Sequence, residues 1–361
     1  MPIRESYTKV RSYIACPYQF YLTYEKRLKV PRNLSLILGS AVHKMVSMLC
    51  RLKKNPEAEA RRLGLEGEQA KTLLYFTTRK KLNGFWWKIM WPEYCKGLEA
   101  KSKLVDNPTA IRFPEWCKTE KQRQDELHKF GAYGAKMLLE YYDDNENNPL
   151  PFLVEKSLTV SLVDEIGTGI KLIGTLDQAR KDTKGRPYII DLKSGFRRFR
   201  TEAQIIERNP QHTHKSALKR MLIEQLPLQE DLQLAIYDFL FEKTFGYRAW
   251  RLGFYFLKDR EVLLIEPEKL NRKNALEVIR YVVSNTSRGY FPKLHDPRKC
   301  SYCDFFEACT KEQDLRLCPS VPIGKIDEPR DITILREQIL SEITPQYKQL
   351  RLKLKYPVRA R

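Results

Sequence analysis

Three residues in the segment KLIGTLDQARKDTKGRPYIIDLKSG, residues 171–195, could do chemistry together: Asp177, Asp191 and Lys193. Asp177 ends one apolar run and Asp191 ends the next, and KDTKGR between them reads as a hairpin loop. An antiparallel hairpin brings both carboxylates to one spot on a sheet. Two carboxylates on a rigid scaffold suit a hard divalent cation, Mg²⁺ or Mn²⁺, which takes oxygen ligands and keeps several waters. Lys193 lies two residues past Asp191, so its side chain leaves the strand on the same face. An ammonium there can orient an attacking water, help deprotonate it, and offset charge on a phosphate. Taken one at a time, each Asp reads equally well as a charged strand end. Glu155, on a run upstream, reads as a surface or substrate-contact carboxylate.

A second set of ligand-type residues stands near the C-terminus in CSYCDFFEACTKEQDLRLCP. Cys300 and Cys303 form a C-x-x-C turn that can aim two thiolates at one metal, and Cys309 adds a third. Local spacing offers Cys318 as the fourth ligand, which would make a Cys₄ zinc knob. Cys50, Cys95 and Cys117 stand singly among apolar or aromatic neighbours and read as core residues. In a reducing compartment the eight cysteines are expected to be metal ligands and core thiols, not disulfides.

The elements that must carry these groups follow from periodicity. SYTKVRSYIACPYQFYLTYEK reads as an amphipathic helix pair broken at Pro17, with Cys16 just before the break. A helix follows Gly39, with Val42, Val46 and Leu49 on one face and His43 beside it. Residues 51–128 show no clean strand pattern and read as a mostly helical insertion; Trp86, Trp87 and Trp91 within it are expected in the core, not as a base-stacking platform. A helix through DELHKFGAYGAKMLLEYYDDNENNP stops at an Asn/Asp/Pro turn near 144. Three strands follow, FLVEKSLTVSL, IKLIGTLDQARK and PYIIDLKSG, then a basic loop over 197–225. QEDLQLAIYDFLFEKTF reads as a helix, RAWRLGFYFLKD as a strand, and PEKLNRKNALEVIRYVVSNTSR as another helix. The order predicts an α/β fold with a mixed sheet covered by helices. The tail from about 319 reads as Pro-rich loop followed by a basic solvated helix or disordered arm.

A formal charge of +20 points to a polyanionic partner, since Lys and Arg release counterions when they neutralise phosphates. Charge alone does not separate nucleic acid from an anionic membrane. No apolar run is long enough to span one. MPIRESYTKV lacks the apolar core of a secretory signal, so a cytoplasmic protein without a membrane partner is expected. There is no G-x-x-x-x-G-K-[ST] phosphate loop, so any motor must be another polypeptide.

Gly174-Thr175-Leu176-Asp177 and Asp191-Leu192-Lys193 resemble the G-x-x-D and D-x-K signatures of the PD-(D/E)XK nuclease superfamily in its RecB/AddB-type branch. His43 in Gly39-Ser40-Ala41-Val42-His43 fits that branch's early G-x-x-x-H, and Gln233 to Tyr237 fits its Q-x-x-x-Y, which places both residues on one helix face within reach of the metal shell or DNA. The resemblance implies a restriction-endonuclease-like fold. It implies a catalytic Mg²⁺ or Mn²⁺ held by His43, Asp177, Asp191 and the Leu192 carbonyl, with in-line attack by water on a DNA phosphodiester. Iron–sulfur members of the branch, including CRISPR-associated iron–sulfur exonucleases, pair one upstream cysteine in a C-P-[YF] context with a C-terminal C-x₂-C-x₅-C; here these are Cys16, Cys300, Cys303 and Cys309. The implied [4Fe-4S] cluster would staple the N-terminal helices to the segment after the core.

The expected organisation is N-terminal helices over 1–50, an insertion over 51–128, a nuclease core over 129–291, a cysteine segment over 292–318 and a basic tail over 319–361. The expected function is a metal-dependent DNA exonuclease acting on single strands or ends in recombination, repair or DNA processing, with a separate helicase or DNA-processing complex as the expected protein partner. The alternative is a nuclease-fold DNA-binding subunit of a larger complex; a zinc-dependent interaction module is a third reading.

Overall fold

In chain order the elements are β1 (Ile3–Ser6), α1 (Tyr7–Ala15), α2 (Pro17–Phe20), β2 (Arg32–Asn33), α3 (Leu34–Lys54), α4 (Pro56–Arg62), α5 (Arg79–Phe85), α6 (Trp91–Cys95), β3 (Ile111–Arg112), α7 (Glu120–Asn145), β4 (Leu153–Ser161), β5 (Ile170–Lys181), β6 (Pro187–Lys193), α8 (Leu232–Phe245), β7 (Arg251–Phe256), β8 (Glu261–Ile265), α9 (Arg272–Ser287), β9 (Lys293–Leu294), α10 (Phe306–Lys311) and β10 (Ser320–Val321). A further helix runs through 332–340. This computed structural model describes residues 3–64, 77–163, 165, 169–195, 228–294, 296, 300, 303–311, 320–321, 329 and 332–340. The basic loop at 197–225, Cys318 and most of the basic tail lie outside the described residues.

The long strand β5 organises the sheet. β4 pairs antiparallel along one edge. The other edge is divided: β1 runs parallel to Ile170–Ile173, and β6 pairs antiparallel with Gln178–Lys181. Gly174 to Asp177 fall between these two ladders. β6 then pairs parallel with β7, and β7 antiparallel with β8, so the main sheet is mixed.

Local chemistry sets the element ends. Asp182 Oδ1 accepts from the amides of Lys184 and Arg186, and Gly185 takes φ 78°, which closes the β5–β6 turn. Thr119 and Gln122 form a capping box at the start of α7. Asp231 caps α8, and Gly246 ends it in the left-handed conformation.

Because successive strand residues face opposite ways, the sheet feeds two cores. Ile189 joins a cluster with Val10, Tyr13 and Ile14 of α1, Leu240 and Phe241 of α8, and Val278 and Ile279 of α9. Ile190 and Leu192 join the other, with Val42 and Val46 of α3, Leu138 of α7, and Trp86 and Trp91. Each such side chain, fully buried, stabilises the fold by about 1.5–3 kcal/mol. The result is a central mixed sheet flanked by helices, as the pattern predicts.

Trp86 is fully buried and donates to the Gly131 carbonyl at 2.9 Å, and Trp91 donates to Leu127 at 3.1 Å. Trp86 and Trp91, with half-buried Trp87 packed against them, therefore complete the second core, and this stretch also carries the short strand β3, which the pattern missed. By length and hydropathy α3 could cross a membrane, yet its apolar side is buried in that same core.

Three further expectations are corrected. Ile3–Ser6 is a strand that the pattern missed, and the helix pair starts after it. Glu261–Ile265 is a strand, missed because a five-residue edge strand with a single buried residue carries little pattern. The tail is not wholly solvated: Ile332, Leu335 and Ile339 enter the first core, and buried Arg336 donates from Nε to the Ile14 carbonyl at 2.8 Å.

Candidate active site

The divided edge of β5 is where the candidate residues meet. Past the Gln178–Ile190 pair, β5 and β6 separate, so the Leu192 amide has no ladder partner on β5. Asp177 Oδ2 takes that place, accepting the Leu192 N–H at 2.8 Å. A side chain thus replaces a backbone acceptor, and the carboxylate is fixed against β6. The same Oδ2 lies 3.3 Å from His43 Nδ1 on α3. Burial opposes a charge on His43, but the hydrogen bond and charge of Asp177 and the charge of Asp191 outweigh it, and the imidazole pKa is raised.

Asp191 is buried on β6, and the D-x-K spacing places Lys193 Nζ 2.7 Å from its Oδ2. On the other oxygen, Oδ1, Gln233 Nε2 donates at 2.9 Å and the Tyr237 hydroxyl at 3.3 Å. The lysine also donates to Gln233 Oε1 at 2.8 Å, so Gln233 bridges the carboxylate and the ammonium. Burial raises the Asp191 pKa, with Lys193 pulling the other way and Asp177 adding to the rise. Burial, then the Asp191 charge, pushes the Tyr237 phenol far up, so it stays a neutral donor. Gln233 and Tyr237 are both buried, and both reach Asp191 Oδ1.

Both motif glycines serve packing. A Cβ on Gly174 would sit 2.5 Å from Leu240 Cδ1 and 3.3 Å from Tyr237 Cε1, so glycine lets α8 approach β5. A Cβ on Gly39 would sit 2.8 Å from Ser194 Oγ, so glycine lets α3 approach the end of β6 and deliver His43.

Glu155 is not a free surface carboxylate. It stands on β4 opposite Asp177, at a step the ladder skips between Val154↔Gln178 and Lys156↔Leu176. Its φ is 46°, in the left-handed region, and its carboxylate takes Arg51 Nη1 at 2.9 Å. A non-glycine residue held there costs about 1–3 kcal/mol. Arg51 comes from α3, two turns after His43, and no spacing rule would have linked it to Glu155.

The donor set fits a hard cation. Asp191 Oδ2 is buried, with Lys193 as its ion-pair partner but no directed hydrogen bond. Among the described residues no three His, Cys, Asp or Glu side chains form a ready-made metal cage. That sparse set suits Mg²⁺, which is commonly held by one or two carboxylates together with waters and substrate phosphate.

The cysteines occupy one end of the first core. Buried Cys16 sits at the α1–α2 junction, and Cys303 and Cys309 pack on the same cluster. Burial raises the Cys309 thiol pKa, with Lys293 opposing and Cys16 and Cys300 adding to the rise, so Cys16 and Cys300 both lie within electrostatic reach of Cys309. Cys303 N–H donates to the Cys300 carbonyl at 3.2 Å, closing the C-x-x-C turn. The described residues do not close into a four-thiolate cage. Asp304, next in chain, pairs with Arg112 of β3 and ties this segment to the insertion.

A family model described as the PD-(D/E)XK nuclease superfamily matches residues 4–310. No curated protein matches the chain.

Proposed function

The chain belongs to the PD-(D/E)XK nuclease superfamily, and from that premise we propose that it is a Mg²⁺- or Mn²⁺-dependent deoxyribonuclease of the RecB/AddB type, an exonuclease acting on single-stranded DNA or DNA ends. The observation that carries this reading is the pairing of two convergent carboxylates with an ammonium: Lys193 Nζ lies 2.7 Å from Asp191 Oδ2, while Asp177 is locked to the Leu192 amide. Asp177 and Asp191 would hold the cation, with His43 and the Leu192 carbonyl completing the protein's share. When bound, the ion supplies Lewis-acid polarisation of the scissile phosphate and a more acidic water.

The chain's own residues do the remainder. Gln233 and Tyr237 hold Asp191 by Oδ1, leaving Oδ2 turned to the reaction centre. Lys193, anchored by Gln233 Oε1, keeps one N–H for the attacking water or the developing charge on phosphorus. The formal charge of +20 supplies the non-specific grip on a polyanion. Roles in recombination, repair or DNA processing, partnership with a separate helicase, and a cytoplasmic location belong to the same reading.

The proposal includes a [4Fe-4S] cluster on Cys16, Cys300, Cys303 and Cys309. Their softness and their shared end of one core support it. Purified protein is expected to be brown with a broad visible absorbance shoulder, and Cys303→Ala to lose the colour; a colourless protein with stoichiometric zinc would point to the Cys₄ alternative.

The nuclease reading is tested with end-labelled single- and double-stranded DNA, Mg²⁺ or Mn²⁺, and Asp191→Ala and Lys193→Ala proteins beside the wild type. Equal digestion by all three would sink it. Binding without digestion by the wild type would favour the DNA-binding-subunit alternative.

A further inference from the structure

The β5–β6 hairpin carries a second buried charge, on the sheet face turned away from Gln233 and Tyr237. Arg180 is 6 % exposed. Its guanidinium donates from Nε to Gln178 Oε1 at 2.9 Å, from Nη1 to Asn145 Oδ1 at 2.7 Å, and from Nη2 to the Tyr141 hydroxyl at 2.7 Å. All three acceptors are neutral; burial keeps Tyr141 a phenol. A guanidinium has five N–H donors, so two remain for something else. Holding such a charge out of water without an anion is costly.

Beside it a cavity of about 480 Å³ opens between the end of α7 and strands β5 to β8. That is the size range of small-molecule sites. Its wall includes Arg180, Lys181, Asp144, Asp182, Tyr188 and Val262. Both carboxylates are already matched: Asp144 by Arg260 and the Tyr255 hydroxyl, Asp182 by Arg186 Nε at 2.8 Å and two backbone amides. Lys181, the next residue on β5, turns to the opposite face, where its ammonium lies over the Phe152 ring. Among the described residues Arg180 is thus the buried wall cation left without a carboxylate, and much of the rest of the wall is aromatic and aliphatic.

We propose that this cavity is a binding site for a phosphomonoester of nucleotide size, its phosphate on Arg180 and its ring against Tyr188, Val262 and Leu264. A planar guanidinium fork with two N–H donors to spare matches a pair of phosphate oxygens. The Gln178–Tyr141–Asn145 network orders the guanidinium in advance, which lowers the cost of binding.

The test is isothermal titration of the full-length protein, in chelator and without divalent metal, with dAMP, deoxyadenosine and inorganic phosphate. dAMP binds at one site. Removing the phosphate, or Arg180→Met, weakens binding about tenfold or more, the change a lost charge-assisted hydrogen bond produces. Val262→Trp guards against a mere folding defect: Val262 is 50 % exposed, so the bulkier ring blocks the cavity while the melting temperature holds. Asp191→Asn leaves dAMP affinity unchanged. The proposal is overturned if no phosphate-bearing probe binds, if Arg180→Met and Val262→Trp bind like wild type, or if Asp191→Asn abolishes the heat.

Discussion

Asp191 and Arg180 are buried charges on the two strands of one hairpin, and they are treated oppositely. Asp191 has an ammonium at 2.7 Å and two neutral donors behind it. Arg180 has three neutral acceptors and, among the described residues, no carboxylate. A buried pair with its own counter-ion is self-sufficient in the folded state, whereas a buried charge held only by dipoles is poised for a ligand of opposite sign. Glu5 on β1 shows a third outcome. Its Oε2 is buried without a hydrogen-bond partner, and burial, eased by Lys9 and reinforced by Glu25, raises its pKa to about 7, so near neutrality it is half-protonated.

The contrast can be broken at each point. Asp191→Asn is expected to lower DNA hydrolysis on the order of 10³-fold, since it removes the partner of Lys193 and the carboxylate proposed to hold the cation. Digestion rates with Mg²⁺, beside a thermal melt showing an intact fold, check it.

For Glu5 the sign runs as linkage dictates. The folded state holds a proton that the unfolded chain, with pKa 4.5, has released, so stability is full below pH 4.5 and falls as pH rises through about 7. The loss over that window is about 3 kcal/mol. Denaturant melts across it should show the decline, and Glu5→Gln should flatten it.

Gln233→Leu separates the lysine from the carboxylate without touching either. It should cost about 10–100-fold in activity and raise the Mg²⁺ concentration needed for half-maximal rate, as loss of a group that orients a metal ligand does. A metal titration of the rate distinguishes this from simple destabilisation.

Arg180→Met should change least in the apo protein. Replacing an uncompensated buried cation by an apolar chain of similar length is expected to shift stability by no more than about 2 kcal/mol, and hydrolysis should stay within about twofold. A large fall in activity would mean that the two faces of the hairpin are coupled.

Asp177, Asp191 and Lys193 were legible as candidates from strand ends and spacing, whereas His43, Gln233 and Tyr237 were marked by the resemblance to the superfamily's motifs. D-x-K is one strand face and Q-x-x-x-Y is one helix face. β8 and β1 were not legible, because short edge strands with little burial leave no alternation to read. The buried helix at 332–340 was obscured by the basic residues around it. The Glu155–Arg51 tie joins residues far apart in sequence, and no local rule connects them.

Local order along the chain therefore settles which residues can share a face, and with it the candidate chemistry, because strand and helix periods act over two to four residues. It does not settle where a strand edge is left unpaired. The gap on β5 between β1 and β6 exists only once three distant segments compete for one edge, and that gap is why Asp177 accepts an amide and stands beside Asp191. The neutral setting of Arg180 is likewise set by packing: α7 and β5 place amide and phenol oxygens around a charge that the chain alone would leave in water.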